Sequence, residues 1–155
     1  MNLIAAKAVA FYEASQPAFV KYQRATLDNA LTLANELKAL GLHLMSGGTD
    51  THLLLVSLTK AGINGRDAEE ALCNIGIVAN RDSIPFDPLS ALKTSGIRFG
   101  TPAVTTRGFG KEEMKQIAHI IFKVITNPVN AEIENQARQE VSQICARFPI
   151  PGIDN

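Results

Sequence analysis

The sequence predicts an α/β fold of the α+β type, in which a small, mostly antiparallel sheet is covered by helices and preceded by a long helical arm. Three observations carry this reading. Apolar residues recur at helical spacing over the first 40 residues, short β-type runs separated by glycine-containing turns fill the middle, and two further helical stripes, each stopped by a proline, fill the last third.

Taken in order, Leu3 to Ala14 reads as a helix that Ser15-Gln-Pro17 interrupts. Pro17 suits the first turn of a second helix, whose pattern of Phe19, Tyr22, Leu27, Leu31, Ala34 and Leu37 runs to Leu40 and predicts a core-facing stripe. Gly41 offers the left-handed residue that ends it. Leu42 to Met45 and His52 to Leu58 read as strands joined through Gly47-Gly48-Thr49-Asp50, and so as an antiparallel pair. Asn64 stands where an N-cap belongs, and Ala68, Ala71, Leu72 and Ile75 define a helix from Gly65 to Asn74, closed by Gly76. Ile77 to Ala79 is a short strand candidate, Asn80 to Leu92 a loop held by Pro85 and Pro88, and Ser95 to Gly100 a strand. Met114, Ile117, Ala118, Ile121 and Ile125 form one helical stripe before Pro128, and Ile133, Ala137, Val141 and Cys145 another before Pro149. There is no internal repeat and no low-complexity segment.

Composition narrows the function classes. With 46% apolar and 19% charged residues in 155, the chain has the makings of one domain with a real core. Fifteen basic residues balance fifteen acidic ones without a basic stripe, which argues against nucleic acid as a partner. Apolar runs such as Leu53 to Val56 are far too short to span a bilayer and no secretory signal is present, so no membrane partner and a cytoplasmic location are expected. Cys73 and Cys145 lack CxxC spacing and read as buried free thiols. His43, His52 and His119 are too dispersed for metal-ligand spacing, so no metal is assigned. Asp50 and His52 could share a hydrogen-bond network, with turn stabilisation the simpler role.

The most informative run is Thr94-Ser-Gly-Ile-Arg-Phe-Gly-Thr-Pro-Ala-Val-Thr-Thr-Arg-Gly-Phe109. Strand alternation sends Ser95, Ile97 and Phe99 one way and Gly96, Arg98 and Gly100 the other, leaving Arg98 between two glycines. Glycines so placed suggest that another backbone or a ligand comes close. A guanidinium fork matches a carboxylate with two parallel hydrogen bonds, while a solvated edge-strand arginine is the plainer alternative. Arg107, after the Gly-Thr-Pro corner, is read as structural, satisfying backbone carbonyls beside the site.

Together with Ser46-Gly-Gly-Thr-Asp-Thr-His-Leu-Leu-Leu-Val56, Ile84-Pro-Phe-Asp-Pro88 and Cys145-Ala-Arg-Phe-Pro149, that run resembles the C-terminal part of serine hydroxymethyltransferase over nearly the whole chain. Met1-Asn-Leu-Ile-Ala-Ala-Lys-Ala-Val-Ala10 is similar to an internal segment that follows the cofactor lysine in that family, so the chain is expected to begin mid-protein. The resemblance implies the small C-terminal domain of fold-type I pyridoxal-phosphate enzymes. Residues 1–40 would be a helical arm packing on an absent large domain, and residues 41–155 the C-terminal α/β domain. It implies serine/glycine interconversion with pyridoxal phosphate and tetrahydrofolate in the complete enzyme, with Arg98 holding the substrate α-carboxylate.

No catalytic residue is assigned, since the family's His-Lys pair does not occur and the eight lysines suit solvated faces. No cofactor is therefore expected to bind this chain alone, and it is expected to be inactive alone. Asp82, next to Ser83 in the possible folate-side loop, stands where the family usually has a pterin-contacting asparagine. A carboxylate only accepts hydrogen bonds where an amide also donates, which puts folate binding in doubt. Thr51 likewise replaces a usual asparagine. The expected partners are a second copy, the missing N-terminal portion or a full-length homologue, with an amino acid bound only in a composite site. A non-catalytic carboxylate-binding or subunit-interaction module is the alternative.

Overall fold

Antiparallel pairing organises the middle of the chain. In the computed structural model, which describes residues 1–153, β1 (His43–Leu44), β2 (Leu53–Ser57), β3 (Asn80–Asp82) and β4 (Gly96–Gly100) form a four-stranded sheet in the order β1-β2-β4-β3. Every pairing is antiparallel, with Leu55 opposite Arg98 and Asn80 opposite Arg98 on the other side. Alternation then divides the residues by face. Leu54, Val56, Ile97 and Phe99 are buried, while Leu53, Leu55, Arg98 and Gly100 belong to the opposite face.

Helices cover the buried face. The helices are α1 (Asn2–Ala14), which lies outside this cover with no residue buried, and α2 (Pro17–Ala39), α3 (Gly65–Asn74), the short α4 (Pro102–Thr106), α5 (Lys111–Ile125) and α6 (Ala131–Arg147). Pro17 opens α2 and Gly41, at φ +98°, closes it, so that the Leu42 amide donates to the Leu37 carbonyl at 3.0 Å. Asn64 caps α3 by accepting from the Asp67 amide at 3.0 Å, and Asn130 caps α6 through the amides of Glu132 and Ile133. Met114, Ala118, Ile121 and Ile125 of α5 are buried against α2 and the sheet. The α+β architecture is therefore as the sequence predicts.

Three local readings differ. The strand after α3 is Asn80–Asp82, not Ile77–Ala79, because the backbone of these polar residues pairs with β4 while Val78 points into solvent. On α2 the buried residues are Thr26, Asn29, Ala30, Leu33, Ala34 and Leu37, so the predicted stripe holds only at its end and Leu27 and Leu31 are exposed. The buried polar pair makes specific ties instead. Asn29 Nδ2 donates to Thr105 Oγ1 and to the Phe109 carbonyl, both at 2.9 Å, and Thr101 Oγ1 donates to the Thr26 carbonyl at 2.9 Å. The second half of α2 thus helps build the core. Cys73 is exposed and Cys145 half-buried, since Ala68, Leu72 and Ile75 take the inner side of α3.

Candidate functional site

Arg98 projects from β4 on the face opposite the buried Ile97 and Phe99, and 43% of its side chain is exposed. The glycines beside it answer to this chain's own atoms. A Cβ at Gly96 would lie 2.7 Å from the Asp82 carbonyl oxygen and 2.8 Å from Ile84 Cγ2, and one at Gly100 would lie 3.1 Å from Leu53 Cδ2. The close approach expected from the glycines is thus made by the backbone of β3 and by neighbouring apolar side chains.

Asp82 stands directly opposite Gly96 in the β3–β4 register. With no side chain at that position, its carboxylate leans diagonally to Arg98, and Arg98 Nη1 lies 3.0 Å from Asp82 Oδ2. Both side chains remain partly in water. Ser83 follows, exposed, at the start of the loop into β4.

A second wall comes from the turn between β1 and β2. Arg98 and Leu55 border a concavity of about 250 Å³ with Ser46, Thr49, Asp50 and Thr51. Hydroxyls hold this turn. Thr49 Oγ1 accepts from the Thr51 amide at 3.1 Å and donates to the Leu53 carbonyl, and Thr51 Oγ1 accepts from the Leu53 amide at 3.2 Å. The threonine at position 51 therefore closes the turn through its own hydroxyl. Asp50 and His52 are both exposed and make no hydrogen bond to each other. The His52 backbone carbonyl accepts from the Thr101 amide at 3.2 Å, which joins this turn to the end of β4.

A third component was not singled out in the sequence. Asp87 gathers four donors, accepting from Ser95 Oγ at 2.6 Å, the Ser95 amide at 2.8 Å, the Leu89 amide at 2.9 Å and the Ile84 amide at 3.2 Å. The Ser95 hydroxyl, with the three amides, holds its carboxyl down at about 2. This clasp fastens the loop between β3 and β4 at the entrance to the Arg98 strand. At its tip Phe86 is fully exposed at φ +58°, a conformation that a bulky residue adopts only when its surroundings fix it. The sequence signal was the aspartate between two prolines, a composition that favours turns whose carboxylate bonds nearby amides.

Arg107 lies on the helix side of the sheet. Its Nε donates to the Phe148 carbonyl at 2.9 Å and its Nη2 to the Phe148 and Cys145 carbonyls at 2.6 and 3.1 Å, satisfying the end of α6. Its guanidinium also sits 5.5 Å from the centre of the Phe109 ring. These bonds account for Arg107 by structure, apart from Arg98.

A pyridoxal phosphate site would need a desolvated lysine, an acid for the pyridine nitrogen and phosphate donors. Among the described residues no lysine is buried, and the two half-buried ones are engaged, Lys115 with Glu112 at 2.9 Å and Lys123 with Gln136 at 3.0 Å. The residues present do not fit that cofactor. Among the described residues there is no cluster of three or more His, Cys, Asp or Glu that could hold a metal, and no helix long and apolar enough to cross a membrane.

A family profile described as serine hydroxymethyltransferase matches residues 1–121. A protein named serine hydroxymethyltransferase from Dehalococcoides mccartyi strain CBDB1 is 52% identical over 155 residues, covering 99% of this chain and 37% of the relative. One of the same name from Dichelobacter nodosus strain VCS1703A is 48% identical over 152 residues, covering 98% of this chain and 36% of the relative. The chain thus spans little more than a third of the length of these curated relatives.

Proposed function

The chain belongs to the serine hydroxymethyltransferase family, matching a C-terminal portion of it, and from that premise we propose that it supplies the arginine that holds the substrate α-carboxylate in a composite site. The observation that carries the reading is the setting of Arg98, a half-exposed guanidinium on the outer face of the sheet, beside a concavity walled by the Met45–Gly47 turn and the residues that follow it. A planar fork presented at the rim of a hollow can take both oxygens of a carboxylate and so fix the orientation of an amino acid.

In the complete enzyme, pyridoxal phosphate supplies the electron sink for chemistry at the amino acid and tetrahydrofolate carries the one-carbon unit. Both groups would be held mainly by residues outside the 155 of this chain. What these residues do is bind and orient. Arg98 anchors the carboxylate, the hydroxyl-held turn shapes the wall beside it, and the Asp87 clasp keeps β4 and its loop in place. The 155 residues alone are expected to leave serine unconverted, and calorimetry with glycine or serine is expected to register no binding.

The test uses an enzyme reconstituted from this chain and the remaining portion of a relative. Arg98→Ala and Arg98→Lys should each weaken serine binding by about 2–4 kcal/mol, roughly thirtyfold to a thousandfold, because a bidentate charge-assisted contact is lost. The circular-dichroism spectrum should stay unchanged, as Arg98 contributes nothing to the buried core. Serine affinity that survives either substitution sinks the assignment.

A further inference from the structure

We propose that Asp82 is a resident carboxylate on Arg98, an internal occupant against which any incoming carboxylate must compete, so that residue 82 sets how strongly the Arg98 fork grips its ligand. The inference rests on the reading of Arg98 as a carboxylate holder and adds the residue that tunes it.

Three features carry it. The contact is charge to charge at 3.0 Å, between Arg98 Nη1 and Asp82 Oδ2, so that a carboxylate already neutralises the guanidinium that a ligand carboxylate would approach. The register makes it possible, because Asp82 opposes Gly96, which carries no side chain of its own, and the arginine stands two residues along β4. Gly96 is in turn fixed by the backbone of β3, since a Cβ there would meet the Asp82 carbonyl at 2.7 Å, so the strand carrying Asp82 is held close against the strand carrying Arg98.

With the Asp82 carboxylate already 3.0 Å from Nη1, a ligand carboxylate on the guanidinium comes within a few ångströms of a like charge. The pair is partly solvated, with 43% and 37% of the two side chains exposed, so water and salt screen the repulsion and the effect is a several-fold penalty rather than a block. Asp82 thereby lowers the affinity of the arginine for simple anions while keeping it oriented along the sheet.

The probe is acetate, added to this chain labelled with 15N-arginine at constant ionic strength, with the Arg98 Nε–Hε resonance assigned by its disappearance in Arg98→Lys. In Asp82→Asn, which keeps the shape of the side chain and removes the charge, the initial slope of the Arg98 shift against acetate should rise about fivefold. Asp82→Glu, which keeps the charge, should stay within about twofold of the starting protein and separates charge from shape. An unchanged slope in Asp82→Asn, or no response to acetate there, overturns the inference. A steeper slope combined with serine affinity that ignores Arg98→Ala in the reconstituted enzyme would instead overturn the composite-site reading and leave the internal pairing standing.

Discussion

Asp87 draws two oxygens into four hydrogen bonds, and the cost of protonating it falls on the fold. Its carboxyl is held at about 2 against the ordinary 3.8, first by the Ser95 hydroxyl and then by the amides of Leu89, Ser95 and Ile84. A carboxylate depressed in the folded state stabilises that state fully above the unfolded value and ceases to do so as pH falls through the folded one. The contribution of Asp87 is therefore complete at neutral pH and disappears between about 3.8 and about 2. Asp87→Asn should melt several degrees below the starting protein at pH 7, and the gap should close as the pH is lowered through that window. A gap that persists undiminished to the bottom of the window would show that the amides, not the charge, hold the loop. Residue identity made part of this legible. Arg107 is readable as a satisfier of carbonyls because it follows a corner rich in backbone ends, and it does bind the Phe148 and Cys145 carbonyls. The Arg98–Asp82 contact was not readable, because the two lie 16 positions apart and meet only through the β3–β4 register.

The sheet turns on that register, and its two outward glycines are not equivalent. At Gly96 an added methyl would strike the Asp82 carbonyl, a backbone atom that cannot step aside without β3 moving. At Gly100 it would meet the end of the Leu53 side chain at 3.1 Å, which can rotate. Gly96→Ala should accordingly cost about 1–3 kcal/mol by denaturant unfolding and speed hydrogen exchange at Asn80 and Asp82, while Gly100→Ala should cost less than about 1 kcal/mol. Equal losses at the two positions would refute the distinction. Elements with a strong periodic signal or a cap were legible, as α3 with Asn64 and α5 with its stripe show. β3 was not, since an edge strand of Asn, Arg and Asp has no apolar alternation. It is fastened by long-range contacts, above all Arg81 with Glu69 of α3 at 2.7 Å. On α2 the difficulty was a surplus of signal, because apolar residues lie on two faces and only packing against α5 selects the one bearing Leu33 and Leu37.

At the scale of the molecule, α1 stands apart. None of its residues is buried, and Leu3, Ile4, Phe11 and Tyr12 are each more than two-thirds exposed. Alanines, leucine, isoleucine, valine and aromatics surround its axis with little polar relief, the composition of a helix meant to be enclosed on most sides. Thirteen residues are too few for such a helix to persist alone in water, so burial against something else has to supply its stability. Val20, Leu27 and Leu31, also exposed, extend the apolar surface along α2. We expect self-association of this chain through that surface. Sedimentation and far-ultraviolet dichroism should then change together, with the sedimentation coefficient and the helix content both rising with protein concentration. The double substitution Ile4→Glu and Phe11→Glu should abolish both trends while leaving unfolding of the core unchanged, because neither residue touches the buried cluster. A chain that sediments as a monomer at high concentration with the amides of α1 protected from exchange would mean that α1 is stable without cover, and the argument from its composition would fail.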